Sequence, residues 1–76
     1  SDDQNRVDLF SSADGTLYLQ APESIRTLRV LNAGGQLVRE YRPASGSFSF
    51  GSDLPHGFYL LQVETQNSKQ VLKATK

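Results

Sequence analysis

The sequence contains no cysteine, methionine or tryptophan, and its only histidine is His56. The lack of cysteine excludes disulfides, and a single histidine without cysteine excludes the ligand clusters of structural zinc sites. Small domains often depend on such cross-links, because a chain of this size buries only about 60% of its unfolded surface. We therefore predict that packing alone stabilises the 76 residues, with no metal and no cofactor.

An excess of charge of one sign is also lacking, since eight basic side chains balance eight acidic ones. Nucleic acids and anionic membranes attract clustered positive charge, so we predict no nucleic-acid partner. No apolar run approaches the ~20 residues that cross a bilayer, so the chain is not expected to span a membrane. Residues 1–6 are mostly polar, and we interpret them as the end of a linker before a domain at 7–76.

Short segments of alternating apolar and polar residues recur along the chain, separated by turn signals such as Asp14-Gly15 and Gly34-Gly35. This pattern is typical of a sandwich or a small barrel. It predicts an all-β fold, an immunoglobulin-like antiparallel β-sandwich of about seven strands. The strands are expected near Val7, Leu17, Leu28, Leu37, Phe48, Phe58 and Lys69.

One segment is ambiguous. After Pro22, the apolar residues Ile25, Leu28 and Leu31 are spaced three apart, which also fits a helix. The glycine pair that follows would end such a helix early, and every neighbouring segment is strand-like. We therefore predict a strand.

No group of residues has the pattern of an active site. His56 lies in a tight turn, and the acidic residues are scattered, so neither a hydrolytic triad nor a carboxylate pair is indicated. A calcium loop needs several oxygen ligands at regular spacing, and Asp14 supplies only one. Glycine-rich phosphate loops are also missing. The sequence predicts a domain without catalytic activity.

Two blocks of the sequence resemble a known family. They are Leu54-Pro55-His56-Gly57-Phe58-Tyr59 with the alternating residues up to Val63, and the strand-turn-strand pattern from Leu28 to Val38. The segment from Lys69 to Lys76, with lysine at 69, 73 and 76, is a third part of the resemblance. Together these parts are similar to the type A C-terminal sorting domain, which is found on proteins exported by the type IX secretion system of Bacteroidetes.

The resemblance implies a secretion signal domain. It passes through the periplasm with its parent protein and is recognised by the outer-membrane translocon. In many members a surface sortase then removes the domain, and any cleavage site would lie at or before the polar start. The parent protein would reach the cell surface or the medium. The residues expected to contact partners are Leu54, Pro55, Gly57, Phe58, Leu60, Lys69, Val71, Leu72, Lys73 and Lys76.

The alternation of side chains between the two faces of a strand indicates which residues could contact a partner protein. A two-layer sandwich buries one face of each sheet, and we assign Tyr59, Leu61 and Val63 to the core. Phe58, Leu60 and Leu72 are then expected outside, as one apolar patch. These last three residues are therefore predicted to form a partner surface, with coverage by the N-terminal segment or a homodimer as the alternatives.

Two other functions stay open at this stage. One is an uncleaved anchor that holds the parent at the cell surface through protein contacts. The other is an accessory β-sandwich of an extracellular enzyme, for carbohydrate binding or spacing. A sugar site would need a row of exposed aromatic rings, and Tyr18, Tyr41 and Phe58 are not aligned by the sequence.

Overall fold

A computed structural model describes residues 7–76, and the described part of the chain is all β, with no helix that could cross a membrane. The predicted linker at residues 1–6 lies outside the described residues. Every strand pairing is antiparallel. The strands are β1 Asp8–Ser11, β2 Leu17–Asn32, β3 Leu37–Tyr41, β4 Ser45–Phe50, β5 Phe58–Thr65 and β6 Lys69–Thr75.

Strand β2 is 16 residues long, and its ladders to β4 and β5 are irregular in the middle, where we infer a bend. Its pairing with β4 is interrupted between Gln20 and Ile25, and Pro22 lies in this gap. Proline cannot donate to a ladder, so the interruption is where a strand tolerates it. The two halves of β2 correspond to two predicted strands, which is why six strands are found rather than about seven. The ambiguous segment after Pro22 is a strand, as predicted.

The bend in β2 folds the sheet into two layers. The first half of β2 pairs with β1 and β4, whereas the second half pairs with β3 and β5. Strand β6 pairs with β5 and forms an edge of the second layer. The predicted antiparallel sandwich is confirmed, with β2 shared by both layers.

The core lies between the layers. The fully buried side chains come from both halves of β2 and from β5: Leu17, Leu19, Ile25, Leu28, Val30, Leu61 and Val63. Tyr59 is also buried, so the predicted core assignment of β5 is confirmed. At one side, the ring of Tyr41 on β3 packs against Phe48 and Phe50 on β4, with centroid distances of 5.1 and 5.8 Å. These contacts join the second layer to the first.

The bend is also tied to the β5–β6 loop by Glu23. Its carboxylate accepts a hydrogen bond of 2.8 Å from the hydroxyl of Thr65 and another of 3.0 Å from the side-chain amide of Asn67. Thr65 is buried, and its hydroxyl also accepts from the backbone N–H of Ser68. A buried hydroxyl without hydrogen-bond partners would destabilise the fold. These bonds satisfy the Thr65 hydroxyl and hold the bend of β2 against the β5–β6 loop.

Candidate partner-binding surface

The ten residues predicted to contact partners fall in three different places. Five point outward from the second layer: Phe58, Leu60, Lys69, Val71 and Lys73. Four lie together at one end of the sandwich: Leu54, Pro55, Gly57 and Lys76. Leu72 is the exception, because it faces the core.

The prediction that Leu72 lies outside is wrong. Leu72 is the cross-strand partner of Leu61, which is fully buried, and cross-strand partners share a face of a sheet. Leu72 packs against the core from the edge strand. Val71 points outward instead and is 62% exposed. A shift of one residue in register exchanges the two faces, and the sequence of this hairpin did not fix that register.

An apolar surface crosses the outside of the second layer, and we call it the outer face. It consists of Leu31, Leu37, Phe58, Leu60 and Val71. Leu37, Leu31 and Leu60 are successive cross-strand partners on β3, β2 and β5, and the row ends at Lys73 on β6. Phe58 lies two residues before Leu60 on the same side of β5. Leu37 and Phe58 are 56% and 41% exposed.

Sequence reasoning found Phe58, Leu60 and Val71 but missed Leu31 and Leu37. Alternation in β2 could have indicated Leu31, because it follows the buried Val30 and must point the other way. Leu37 is harder to predict, since the β2–β3 ladder shifts register between Val30 and Leu31. The outer face is therefore wider than the predicted patch and extends over four strands.

Charged side chains border the outer face in pairs. Arg29 donates to Glu40 at 2.8 Å, and this hydrogen bond lowers the pKa of the Glu40 carboxyl below its usual value. Lys69 lies 3.5 Å from Glu64 at the other side. Among the described residues, Lys73 has no salt-bridge partner. The surface thus combines an apolar centre with one unneutralised cation at the edge strand.

The Leu-Pro-x-Gly-x-Tyr block has a structural explanation. Leu54 is buried and closes one end of the core. Tyr59 is buried too, and its hydroxyl donates to the carbonyl of Pro55 at 2.7 Å. A tyrosine that bonds back to the backbone a few residues upstream is also a feature of immunoglobulin-type sandwiches. The spacing of Pro55 and Tyr59 therefore serves this bond, which sequence reasoning did not predict.

The same end of the sandwich is joined to the last residue of the chain. The N–H of Lys76 donates to the carbonyl of Gly57 at 2.9 Å, and the N–H of Gly57 donates back at 3.3 Å. The Lys76 ammonium donates to the carbonyls of Gly51 and Leu54, which form a turn of their own. The Leu54–Tyr59 block and the end of the terminal strand are therefore one hydrogen-bonded unit.

We expect Gly57→Val to lower the free energy of unfolding by about 1–3 kcal/mol. Gly57 has a φ of +157°, and an added Cβ would meet no atom within 4 Å, so the cost is conformational rather than steric. Thermal melting of the variant measures this. His56→Val is the matched control, because His56 is the exposed neighbour in the same turn. Equal melting temperatures for both variants and the parent chain would show that this backbone conformation carries no strain.

The described residues contain no group of three or more His, Asp or Glu side chains that could hold a metal ion. Asp14, the single candidate calcium ligand, accepts hydrogen bonds from the Ser12 hydroxyl and from the Thr16 N–H at 2.9 Å. The Ser12 bond is the main cause of a lowered pKa for Asp14, followed by the Thr16 bond. His56 is exposed in its turn. The main surface feature of the second layer is therefore the apolar outer face with its border of charged side chains.

Comparison with known proteins agrees with this geometry. A family model described as the secretion system C-terminal sorting domain matches residues 12–76. The match covers β2 to β6, including the Leu54–Tyr59 block and the terminal strand. A search of curated proteins finds no match.

Proposed function

Since the chain belongs to the family of type IX secretion C-terminal sorting domains, we propose that its outer face is the surface that the outer-membrane translocon recognises. A sorting domain of this family is a signal that directs its parent protein to the cell surface or the extracellular space. The proposal assigns that recognition to Leu31, Leu37, Phe58, Leu60 and Val71, with Lys73 at their border.

The observation that carries this proposal is the exposure of a contiguous apolar surface on a small domain. Three of its side chains, Leu37, Phe58 and Val71, are 56%, 41% and 62% exposed. Contiguous apolar patches on small soluble domains often mark a partner surface. The patch lies on a hydrogen-bonded four-strand layer whose other side is core, and this backbone positions its side chains.

The proposal includes two further steps, which the resemblance to the family implies. The parent protein crosses the periplasm before the translocon binds, and any cleavage by a surface sortase falls at or before the polar residues that precede β1. The domain carries out no chemistry itself. It supplies a folded surface, and the machinery supplies energy and catalysis.

The test is a graft of the 76-residue chain onto the C-terminus of a periplasmic reporter enzyme, in a bacterium with a type IX system. We expect the reporter at the cell surface or in the medium, because the domain contains the export signal. The same fusion in a strain without the translocon is the control and should stay in the periplasm. The mass of the exported reporter shows whether the sortase removes the domain.

A folded fusion that stays in the periplasm of the competent strain would contradict the function. Export in both strains would contradict it equally, because the translocon would then not be required. Cell fractionation with a protease-accessibility assay distinguishes the two locations.

A further inference from the structure

Besides the outer face, the sandwich has another exposed surface, which contains two aromatic rings and lies on the outside of the first layer. Phe10 on β1 is the cross-strand partner of Tyr18 on β2, and Tyr18 is the partner of Ser49 on β4. Gln20 and Ser47 are partners in the next row on the same side. The two rings are 54% and 43% exposed, and neighbouring exposed apolar side chains are informative where a single one is not. We call these five residues the aromatic face.

The aromatic face borders a hollow of about 310 Å³. Its lining consists of these five residues together with Leu19 and Phe48. Two flat rings thus lie beside the hydroxyls of two serines and one carboxamide. Asp8, the cross-strand partner of Gln20, adds a carboxylate at the border of the face. The hydroxyls and the amide can both donate and accept hydrogen bonds.

This combination fits one class of ligand. A pyranose ring has an apolar side of C–H bonds, which packs on an aromatic ring, and a rim of hydroxyls, which needs neutral donors and acceptors. We propose that the aromatic face binds a hexopyranose unit of a neutral polysaccharide. Phe10 and Tyr18 form the platform for the ring, and Gln20, Ser47 and Ser49 bind its hydroxyls.

Other ligands fit less well. A nucleic acid or another polyanion would need lysine or arginine on this face, and its five residues include neither. A protein partner favours a continuous apolar centre, whereas here Gln20, Ser47 and Ser49 place three polar side chains among the seven residues of the lining. The sequence alone does not align Tyr18 with Tyr41 or Phe58, but the register of the β1–β2 ladder places Phe10 beside Tyr18.

The proposal does not depend on recognition by the translocon, and the test separates the two. The ¹⁵N-labelled 76-residue chain is titrated with cellohexaose, mannohexaose and maltohexaose, and amide chemical shifts are recorded. At about 10 mM sugar, ten times a dissociation constant of ~1 mM, we expect at least one sugar to shift amides of residues 8–11, 17–20 and 46–50. Tyr18→Ala and Phe10→Ala should each weaken that binding by about tenfold.

Phe58→Ala is the matched control, because Phe58 is about as exposed as Tyr18 but lies on the opposite side. It should leave sugar binding unchanged. The proposal is overturned if no sugar shifts these amides, if the shifts lie on the outer face, or if Phe58→Ala weakens binding as much as Tyr18→Ala does. Shifts of the same amides with protein concentration alone would assign the aromatic face to contacts between copies of the chain and would also overturn it. Since both Phe10 and Tyr18 are exposed, two independent variants report on the platform even if one of them folds poorly.

Discussion

Deletion of residues 71–76 is expected to abolish export of a parent protein that carries this domain. The deletion removes most of β6, which pairs with β5 over seven residue pairs from Phe58↔Thr75 to Glu64↔Lys69. It also removes the buried Ala74, the core contact of Leu72 and the Lys76 hydrogen bonds to Gly57. The parent should accumulate in the periplasm, which fractionation measures. Surface display at the normal level would rule out the secretion function of this segment.

Loss of export after this deletion has two causes, unfolding and loss of contacts, and a second variant separates them. The double substitution Val71→Ser and Lys73→Ser changes only outward side chains of β6 and leaves Leu72, Ala74 and Lys76 in place. We expect it to melt close to the parent chain and to be exported less efficiently. Full export of this variant would mean that β6 matters only for the fold.

The strands were predictable because burial on one face imposes a period of two on the sequence. The buried Leu17 and Leu19 of β2 follow this rule, with Tyr18 and Gln20 exposed between and after them, and turn residues mark the ends of the strands. The continuity of β2 through Pro22 was not predictable, since proline ordinarily ends a strand. It continues here because the chain passes from one layer to the other at that point and its ladder is interrupted there anyway.

The partner surface was only partly predictable, for a similar reason. Sequence alternation gives the two faces of a strand, but which face is inward on an edge strand depends on the register with its neighbour. For β5 the predicted inward face is correct. For β6 the predicted inward face is wrong, because Leu72 was expected outside and packs against the core. The bonds from the Lys76 ammonium join residues 25 and 22 positions apart in the sequence, so only the folded chain brings them together. The Tyr59 bond is local, but it depends on the conformation of the turn between Pro55 and Tyr59.

Leu60→Glu is expected to reduce export strongly while the domain stays folded. Leu60 is half-buried at the centre of the outer face, between Leu31 on β2 and Lys73 on β6. Glutamate at this position would face Lys73, and an opposite-charge pair across two strands is favourable. We therefore expect a stability loss of no more than about 1 kcal/mol, which corresponds to roughly 4–8 °C in melting temperature. A central interface side chain, in contrast, contributes about 2 kcal/mol or more to binding, which is roughly thirtyfold in affinity.

The matched control is Gln62→Glu, because Gln62 lies two residues further along the same strand and faces the same way. It adds the same charge beside Arg29 and Val71 without removing an apolar side chain. If the translocon recognises the apolar outer face, Leu60→Glu loses surface delivery and Gln62→Glu keeps it, with both domains melting cooperatively. Equal loss in the two variants would mean that negative charge, not the missing leucine, prevents docking. Normal delivery of Leu60→Glu would move the recognition surface elsewhere on the domain, and the unit formed by Leu54, Tyr59 and Lys76 would be the next place to test.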